Sequence, residues 1–270
     1  MAGHSKWSKI KHKKAIKDAK KGKIFSMYAQ KIAVAARDGG GDPDMNFSLR
    51  LLLQKAKSEG MPQNNIDRAI ARGTGQGGDG VVIEEVTYEA FGPHNVGMVI
   101  ETVTDNRNRT VASLRKSLTD WGGQLADNGA VTWNFSRKGK IVVRTAKVKK
   151  SEKFGQADTF EEFDADDVML ELMDIAGIED INKVVTEVPA PDGKGSVEVE
   201  ALEITTGAAD LGKVRDAIAD TGYVLVEAEL VYIPNTPKDD LSEEQMSAVV
   251  DFVDKVEEME DVKSVFTELA

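Results

Sequence analysis

Between residues 140 and 233 the apolar pattern runs strand, helix, strand, strand, helix, strand, and this order constrains the fold more than any other feature. Alternation marks strands at 140–145, 183–188, 197–205 and 223–233, and helical spacing marks 165–176 and 208–220. A βαββαβ series is the ferredoxin-like split motif, complete within itself. The block before it is not complete. Strands at 82–91 and 96–103 flank a turn at Gly92-Pro-His-Asn95, a helix at 111–121 carries Leu114, Leu118 and Trp121, and Gly122-Gly123 ends it before a third strand at 130–135. One helix and one strand are missing from that ββαβ block. They reappear at the far end of the chain, where Ser242 and Gln245 have capping-box spacing. Met246, Val249, Val250, Val253 and Val256 then form an apolar stripe, followed by a strand at 262–269. The second α/β domain is therefore expected to be inserted in the first.

Ahead of both, residues 8–72 read as short helices. Residues 9–20 form a basic one, 24–37 place Phe25, Tyr28, Ala29, Ile32 and Ala36 on one face, 46–59 turn Leu49, Leu52, Leu53 and Ala56 inward, and 62–72 hold Ile66, Ala69 and Ile70. Helices this short need one another to be stable in water. The expected class is α+β: an N-terminal helical bundle plus two ferredoxin-like α/β domains, one inserted in the other. The expected divisions are 1–78 for the helical domain with a Gly-rich linker, 79–136 with 228–270 for the middle domain, and 137–227 for the insert.

Charge is distributed unevenly over these parts. The first 24 residues carry nine Lys against Asp18, and residues 1–72 hold 16 Lys/Arg against 6 Asp/Glu, a net of +10. The whole chain is −11, so residues 73–270 sum to −21. A positive head on an acidic body points to a polyanionic partner, with nucleic acid first, because displaced counterions dominate such binding. A solvated Lys-rich tail is the plain alternative. Interleaved Trp7, Ile10, Ala15, Ile16 and Ala19, with Ser5, Ser8, His4 and His12, count against it. Residues 151–270 have 32 Asp/Glu and 8 Lys/Arg, so that half repels phosphate and the head and middle domain must do the binding.

Other function classes find little support. Cysteine is absent, which removes disulfides, thiolate metal sites and Cys nucleophiles. The N-terminus has no apolar run of secretory type and few arginines for a mitochondrial leader, and no stretch reaches the ~20 apolar residues of a membrane span. A cytoplasmic protein without membrane contact is expected. Gly73, Gly75 and Gly78 satisfy G-x-G-x-x-G, but a helix precedes them and a strand follows, the reverse of a dinucleotide site, so they read as linker. No G-x-S-x-G, H-E-x-x-H or EF-hand pattern occurs. Asp164, Asp166 and Asp167 sit where a helix begins, and capping accounts for them. No catalytic, cofactor or metal residue is assigned, and a non-enzymatic binding protein is expected.

The binding candidates are Lys6, Lys9, Lys11, His12, Lys13, Lys14, Lys17, Lys20 and Lys21 in the head, whose like charges need a polyanion to neutralise them. Trp7 fits stacking on an unpaired base, and equally fits pinning the tail to the bundle. Arg107 and Arg109, beside Asn106 and Asn108, suit phosphate or base-edge contacts. They also suit pairing with carboxylates, with Asp105 or Asn108 capping the helix. His94, at a turn tip, is either a contact or simply exposed.

Four stretches carry a resemblance. Gly3-His-Ser-Lys-Trp-Ser-Lys-Ile-Lys-His-Lys-Lys14, Met61-Pro-Gln-Asn-Asn-Ile-Asp-Arg-Ala-Ile70, Tyr88-Glu-Ala-Phe-Gly-Pro93 and Thr104-Asp-Asn-Arg-Asn-Arg-Thr110 resemble, in this order, motifs of the YebC/PmpR family. That family includes the mitochondrial translational activators of cytochrome oxidase. The resemblance spans essentially the whole chain. It implies a helical head, two nested α/β domains, no cofactor, and a non-enzymatic cytoplasmic regulator of gene expression. It implies either of two targets. One is ribosomal RNA or tRNA, with ribosomal proteins as further partners, for a translation factor that relieves stalling at proline runs. The other is duplex DNA, for a transcriptional regulator. No helix-turn-helix, zinc finger or basic zipper is visible, and the segregated charge fits the ribosome somewhat better. The resemblance also raises His94 as an RNA contact. The chain departs from the family at Ala90, Phe91 and Asn95, and its insert is longer at 151–160 and 189–195.

Overall fold

The computed structural model describes residues 21–76, 84–149, 159–189, 196–259 and 261–269. They form two compact units, one from residues up to Ser136 together with those from Tyr232 onward, the other from Arg137–Val231. The second is inserted in the first, as the split pattern requires.

Three helices open the first unit: α1 (Lys21–Gly39), α2 (Phe47–Ser58) and α3 (Gln63–Gly73). The expected basic helix at 9–20 lies outside the described residues. Asn46 joins α1 to α2. Its side chain accepts from Leu49 N as the α2 cap, while Nδ2 donates to Ala35 O at 2.7 Å and to Gly40 O at 2.8 Å. Ile32, Ala36, Leu49, Leu53, Ala56, Met61, Ile66 and Ala69 make the core between the three helices.

Gly73 belongs to α3 rather than to a linker, and its place is set by packing. A Cβ built there would lie 2.1 Å from Ala33 O of α1. Gly73→Ala should therefore cost about 1–3 kcal/mol by forcing α3 off α1. An unchanged denaturation midpoint would show that the helices are not in this contact.

The α/β part of this unit is an antiparallel sheet in the order β3-β1-β2-β9, from β1 (Glu84–Phe91), β2 (Gly97–Thr104), β3 (Gln124–Leu125) and β9 (Val262–Thr267). The register runs from Glu84 opposite Thr104 to Phe91 opposite Gly97, and β2 pairs on its other edge with β9. Helices α4 (Arg107–Asp120) and α7 (Glu243–Glu257) cover one face through Leu114, Leu118, Val249, Phe252, Val253 and Val256, packed on Met98 and Ile100. Each of these large side chains, once buried, contributes about 1.5–3 kcal/mol. The capping box of Ser242 and Gln245 starts α7 as expected. Helix α4 starts a turn earlier than expected, because Asn106, and neither Asp105 nor Asn108, caps it by accepting from Arg109 N at 3.1 Å.

Every residue of β2 is buried, so its second face is covered too. Val103 packs with Ala33 and Val34 of α1, and Val99 with Val131 and Phe135. The helical head thus docks directly on the sheet, where the Gly-rich stretch had suggested a flexible tether; residues 77–83 lie outside the described part.

In the second unit, β4 (Phe135–Lys149) pairs with β7 (Ser196–Gly207) and β8 (Tyr223–Pro234), and β7 with β6 (Ile178–Pro189). The order β8-β4-β7-β6 is the ferredoxin-like arrangement of the βαββαβ series. A short strand the sequence reading passed over, β5 (Thr159–Glu162), adds to β4. Helix α5 (Ala165–Leu172) is capped by Asp164, and with α6 (Leu211–Asp220) it packs on β7. Val142, Val188, Ala201 and Val226 cluster together. Lys140 lies 3.1 Å from Glu227 and 3.3 Å from Glu229, and Arg144 stacks 4.1 Å over the Phe160 ring. Burial works to lower the Lys140 pKa, but Glu227, Glu229 and Glu203 outweigh it and hold the ammonium charged.

Candidate nucleic-acid interface

The densest part of the sequence-predicted interface, namely Lys6, Trp7, Lys9, Lys11, His12, Lys13, Lys14, Lys17 and Lys20, lies outside the described residues, and Lys21 opens α1. The folded head adds cations that the reading passed over. Lys57 and Arg68 are exposed and have no carboxylate partner among the described residues, while Arg50 sits 5.3 Å over the Phe47 ring. Their signal was present in the sequence, at outward positions of α2 and α3, but the Lys-rich start overshadowed it.

Arg107 and Arg109 share the first turn of α4, and each is held by carboxylates. Arg107 Nε bonds Glu84 at the start of β1. Arg109 Nη2 reaches Asp105 Oδ1 at 2.8 Å and Asp261 Oδ1 at 3.1 Å, and Asp105 in turn lies 3.7 Å from Arg72 of α3. The Thr110 hydroxyl is 2.6 Å from Asp261 Oδ2 and 2.7 Å from Thr104 Oγ1, which fixes the loop from below. Beside it, Arg37 of α1 bonds Glu85, and Lys263 lies 3.0 Å from Glu85 and 3.3 Å from Glu101. Burial tends to raise the Glu85 pKa, but Lys263 and Arg37 outweigh it and hold it below the ordinary carboxylate value. Burial likewise opposes the Lys263 charge, and Glu101 and Glu85 raise its pKa. This end of the sheet is a nearly neutral ion cluster that also clamps the head. The two arginine side chains remain 63% and 52% exposed above it.

His94 is far from them. It sits on the β1–β2 turn, at the opposite end of an eight-residue hairpin that spans roughly 26 Å at about 3.3 Å per residue. His94 and Asn95 have φ of 58° and 57°, a left-handed pair with no glycine, the geometry of a primed hairpin turn. Lys238 Nζ donates to the carbonyls of both, at 3.2 Å and 3.5 Å, and holds the tip. An open cleft of about 220 Å³ lies alongside, lined by Phe91, Gly92, His94, Asn95, Gly122, Gly123 and Gln124. Gly123 is needed there, since a Cβ would meet the Phe252 ring at 2.5 Å and Phe91 O at 2.7 Å. The middle-domain candidates therefore form two separate places, one at each end of the sheet.

The third strand expected at 130–135 is not a strand. A turn and a 3-10 turn over Thr132–Asn134 replace it, and β4 begins only at Phe135. The reason is Glu89 of β1, only 3% exposed, which accepts Gly129 N at 2.6 Å, Val131 N at 2.6 Å and Thr132 N at 2.8 Å, with the Thr132 hydroxyl at 3.1 Å. Amides that a ladder would use are spent on one carboxylate. Burial pushes the Glu89 pKa up, and the donors from Gly129, Thr132 and Val131 pull it further down, so the net shift is below the ordinary value. The loop so formed leaves Trp133 73% exposed, a residue the alternating pattern had placed in a strand.

Among the described residues no cluster of His, Asp or Glu is placed to hold a metal ion, and no helix is long and apolar enough to cross a membrane.

Comparison with known proteins now decides the family. Residues 5–76 match the model of the TACO1/YebC protein N-terminal domain, and residues 83–269 that of the TACO1/YebC second and third domain. The chain belongs to the TACO1/YebC family. Among its TACO1/YebC relatives, a protein of Halothermothrix orenii is 41% identical over 99% of this chain and 94% of its own length, and carries the name "Probable transcriptional regulatory protein". One of Enterococcus faecalis with the same name is 41% identical over 99% of this chain and 98% of its own. The crystal structure of a conserved hypothetical protein from Aquifex aeolicus superposes with a TM-score of 0.73 at 31% identity, covering 98% of this chain and 96% of that one.

Proposed function

We propose that the chain is a non-enzymatic, nucleic-acid-binding regulator of gene expression, acting in the cytoplasm as an RNA-associated translation factor that relieves stalled ribosomes at proline runs. Two observations support this reading: the segregation of charge, +10 in residues 1–72 against −21 in the remainder, which calls for a polyanionic partner, and the resemblance to the TACO1/YebC family, which suggests the ribosome as the place of action. The head grips phosphates, with Lys57 and Arg68 extending its reach on the folded helices. His94 and the Arg107–Arg109 turn serve as second contacts. At the turn, an incoming phosphate exchanges with Asp105, Asp261 and Glu84 for the guanidiniums. The acidic insert repels RNA phosphates, and its charge suits basic ribosomal proteins. The relatives' names, probable transcriptional regulatory proteins, favour a second reading, in which the chain is a transcriptional regulator and its target is duplex DNA.

One pair of measurements separates the two. The translation factor co-sediments with ribosomes at low salt, is released as salt rises, and increases read-through of a proline-run reporter in a purified translation system. The transcription factor shifts a defined duplex with a specificity ratio on the order of 10³ or more over non-specific DNA. A sequence-specific shift with no effect on the reporter would reverse the order of the two readings.

A further inference from the structure

We infer that Trp133 is the stacking platform for one unpaired nucleobase, presented at the His94 end of the first unit's sheet. This rests on the nucleic-acid reading above and deepens it, because the contact is separate from the phosphate-binding head.

Three observations carry it. The first is that Trp133 is held out by construction. Its Nε1 donates to Ala130 O at 3.0 Å, so the polar edge is spent within the loop and a flat apolar face is left in water. Two buried polar side chains keep the loop in that shape. One is Glu89, with its four donors. The other is Asn134, 5% exposed, which accepts from Thr236 N at 2.9 Å and donates to Thr236 O at 3.0 Å. Its backbone carbonyl also takes Asn235 N at 2.6 Å. A satisfied buried network of this kind specifies one conformation, and here that conformation exposes a tryptophan.

Secondly, the surroundings suit a base and do not suit a phosphate or an apolar protein groove. Trp133 is the one large apolar side chain exposed in the α/β part of this unit among the described residues, so there is no patch to dock a hydrophobic helix or strand. The exposed groups at this end of the sheet include His94, Asn95, Gln124, Asn128 and Asn235, neutral side chains whose amides and imidazole match base edges. Exposed Asp127, Asp239 and Asp240 outnumber the half-buried Lys238, whose ammonium bonds the His94 and Asn95 carbonyls, and they disfavour a phosphate run.

Lastly, these residues share one end of the sheet. A Cβ on Gly97, next to the His94 turn, would meet Val131 Cγ1 at 2.9 Å and Glu268 Oε2 at 3.0 Å, and Asn134 Nδ2 lies 3.3 Å from Glu268 Oε2. The Trp133 loop, the Asn235 segment and the β1–β2 turn are thus neighbours.

The test uses the full chain, Trp133→Ala and Trp133→Phe, with a labelled single strand of about ten nucleotides in ribo and deoxy forms, and a blunt duplex of the same sequence. Titrations are followed by anisotropy at several salt concentrations. The expected result is that Trp133→Ala binds either single strand about 5- to 100-fold more weakly, with the log–log salt slope unchanged, because a neutral stacking contact releases no counterions. Trp133→Phe retains most of the affinity, which also shows that the loop survives substitution. Duplex affinity stays within twofold. The inference is overturned if the wild type binds and Trp133→Ala binds equally well, or if the loss is as large on duplex. It is also overturned if Trp133→Ala loses only association with a protein component of ribosomes. No binding of any oligonucleotide by the wild type overturns the nucleic-acid reading itself, and this inference with it.

Discussion

Glu89→Ala is expected to destabilise the first unit by about 3–5 kcal/mol, as much as truncating a large side chain of its apolar core. The carboxylate is buried and accepts three backbone amides and one hydroxyl. Alanine removes every acceptor at once, which strands the buried amide of Val131 and the partly buried amides of Gly129 and Thr132. Charge-assisted bonds of this type contribute about 1.5–3 kcal/mol each, and stranded donors cost about 1–3 kcal/mol apiece before the loop relaxes into water. Relaxation limits the sum, because the loop is at the surface. Glu89→Gln, which keeps one oxygen acceptor, should fall between. The folded-state pKa of Glu89 is lowered, so its stabilisation is present above the unfolded carboxylate pKa of roughly 4.3 and is lost as pH falls through the folded value. The gap between wild type and Glu89→Ala should therefore be full at neutral pH and should narrow below about pH 4. Urea midpoints across that range measure it. A midpoint shift independent of pH would mean that the side chain acts by packing alone.

The same residue marks where sequence reasoning reaches its limit. Elements whose signals are local were legible. Ser242 and Gln245 lie three positions apart and announce α7, and Asp164 announces α5. The split of one α/β block around another was legible too, because each block's count of strands and helices could be checked for completeness. What failed was anything settled by distant partners. The alternating residues at 130–135 look like a strand, and only Glu89, some 40 positions earlier, turns them into a loop. Asn106 was passed over as a cap in favour of its neighbours because the three side chains are close to equivalent in isolation. Gly73 reads as linker in a run of glycines, whereas its role comes from the Ala33 carbonyl, which no local pattern reveals.

The candidate site shows the same division. A cluster of lysines is visible as composition, and the basic head was read directly from it. Whether an arginine is free is a matter of its neighbours in space. Glu84 and Asp261 are 23 and 152 positions from the arginines they hold, so pairing could be named as an alternative but not assigned. The docking of the head through Arg37, Glu85 and Val103 was hidden for the same reason. Trp133 was hidden because a strand reading buries alternate residues.

Replacing Lys9, Lys11, Lys13 and Lys14 together by Ala is expected to lower nucleic-acid affinity on the order of 10²-fold near physiological salt. The argument starts from density. Nine lysines within 24 residues, opposed by one aspartate, repel one another until a polyanion neutralises them. Each phosphate so neutralised contributes about 0.7–0.9 to the slope of log affinity against log salt, the lower figure for single strands. Four lost contacts should flatten the slope by roughly 3. The loss should be nearly uniform across sequences, because phosphates carry no sequence information. It should thereby differ from the loss at Trp133, which leaves the slope alone and depends on an unpaired base. Isotherms at four or five salt concentrations, on one single strand and one duplex, distinguish the two kinds of contact in the same experiment. An unchanged slope in the four-lysine variant would remove Lys9, Lys11, Lys13 and Lys14 from the binding surface and shift the phosphate contacts to the other cations of the head, Lys57 and Arg68 among them, and to the middle-domain residues.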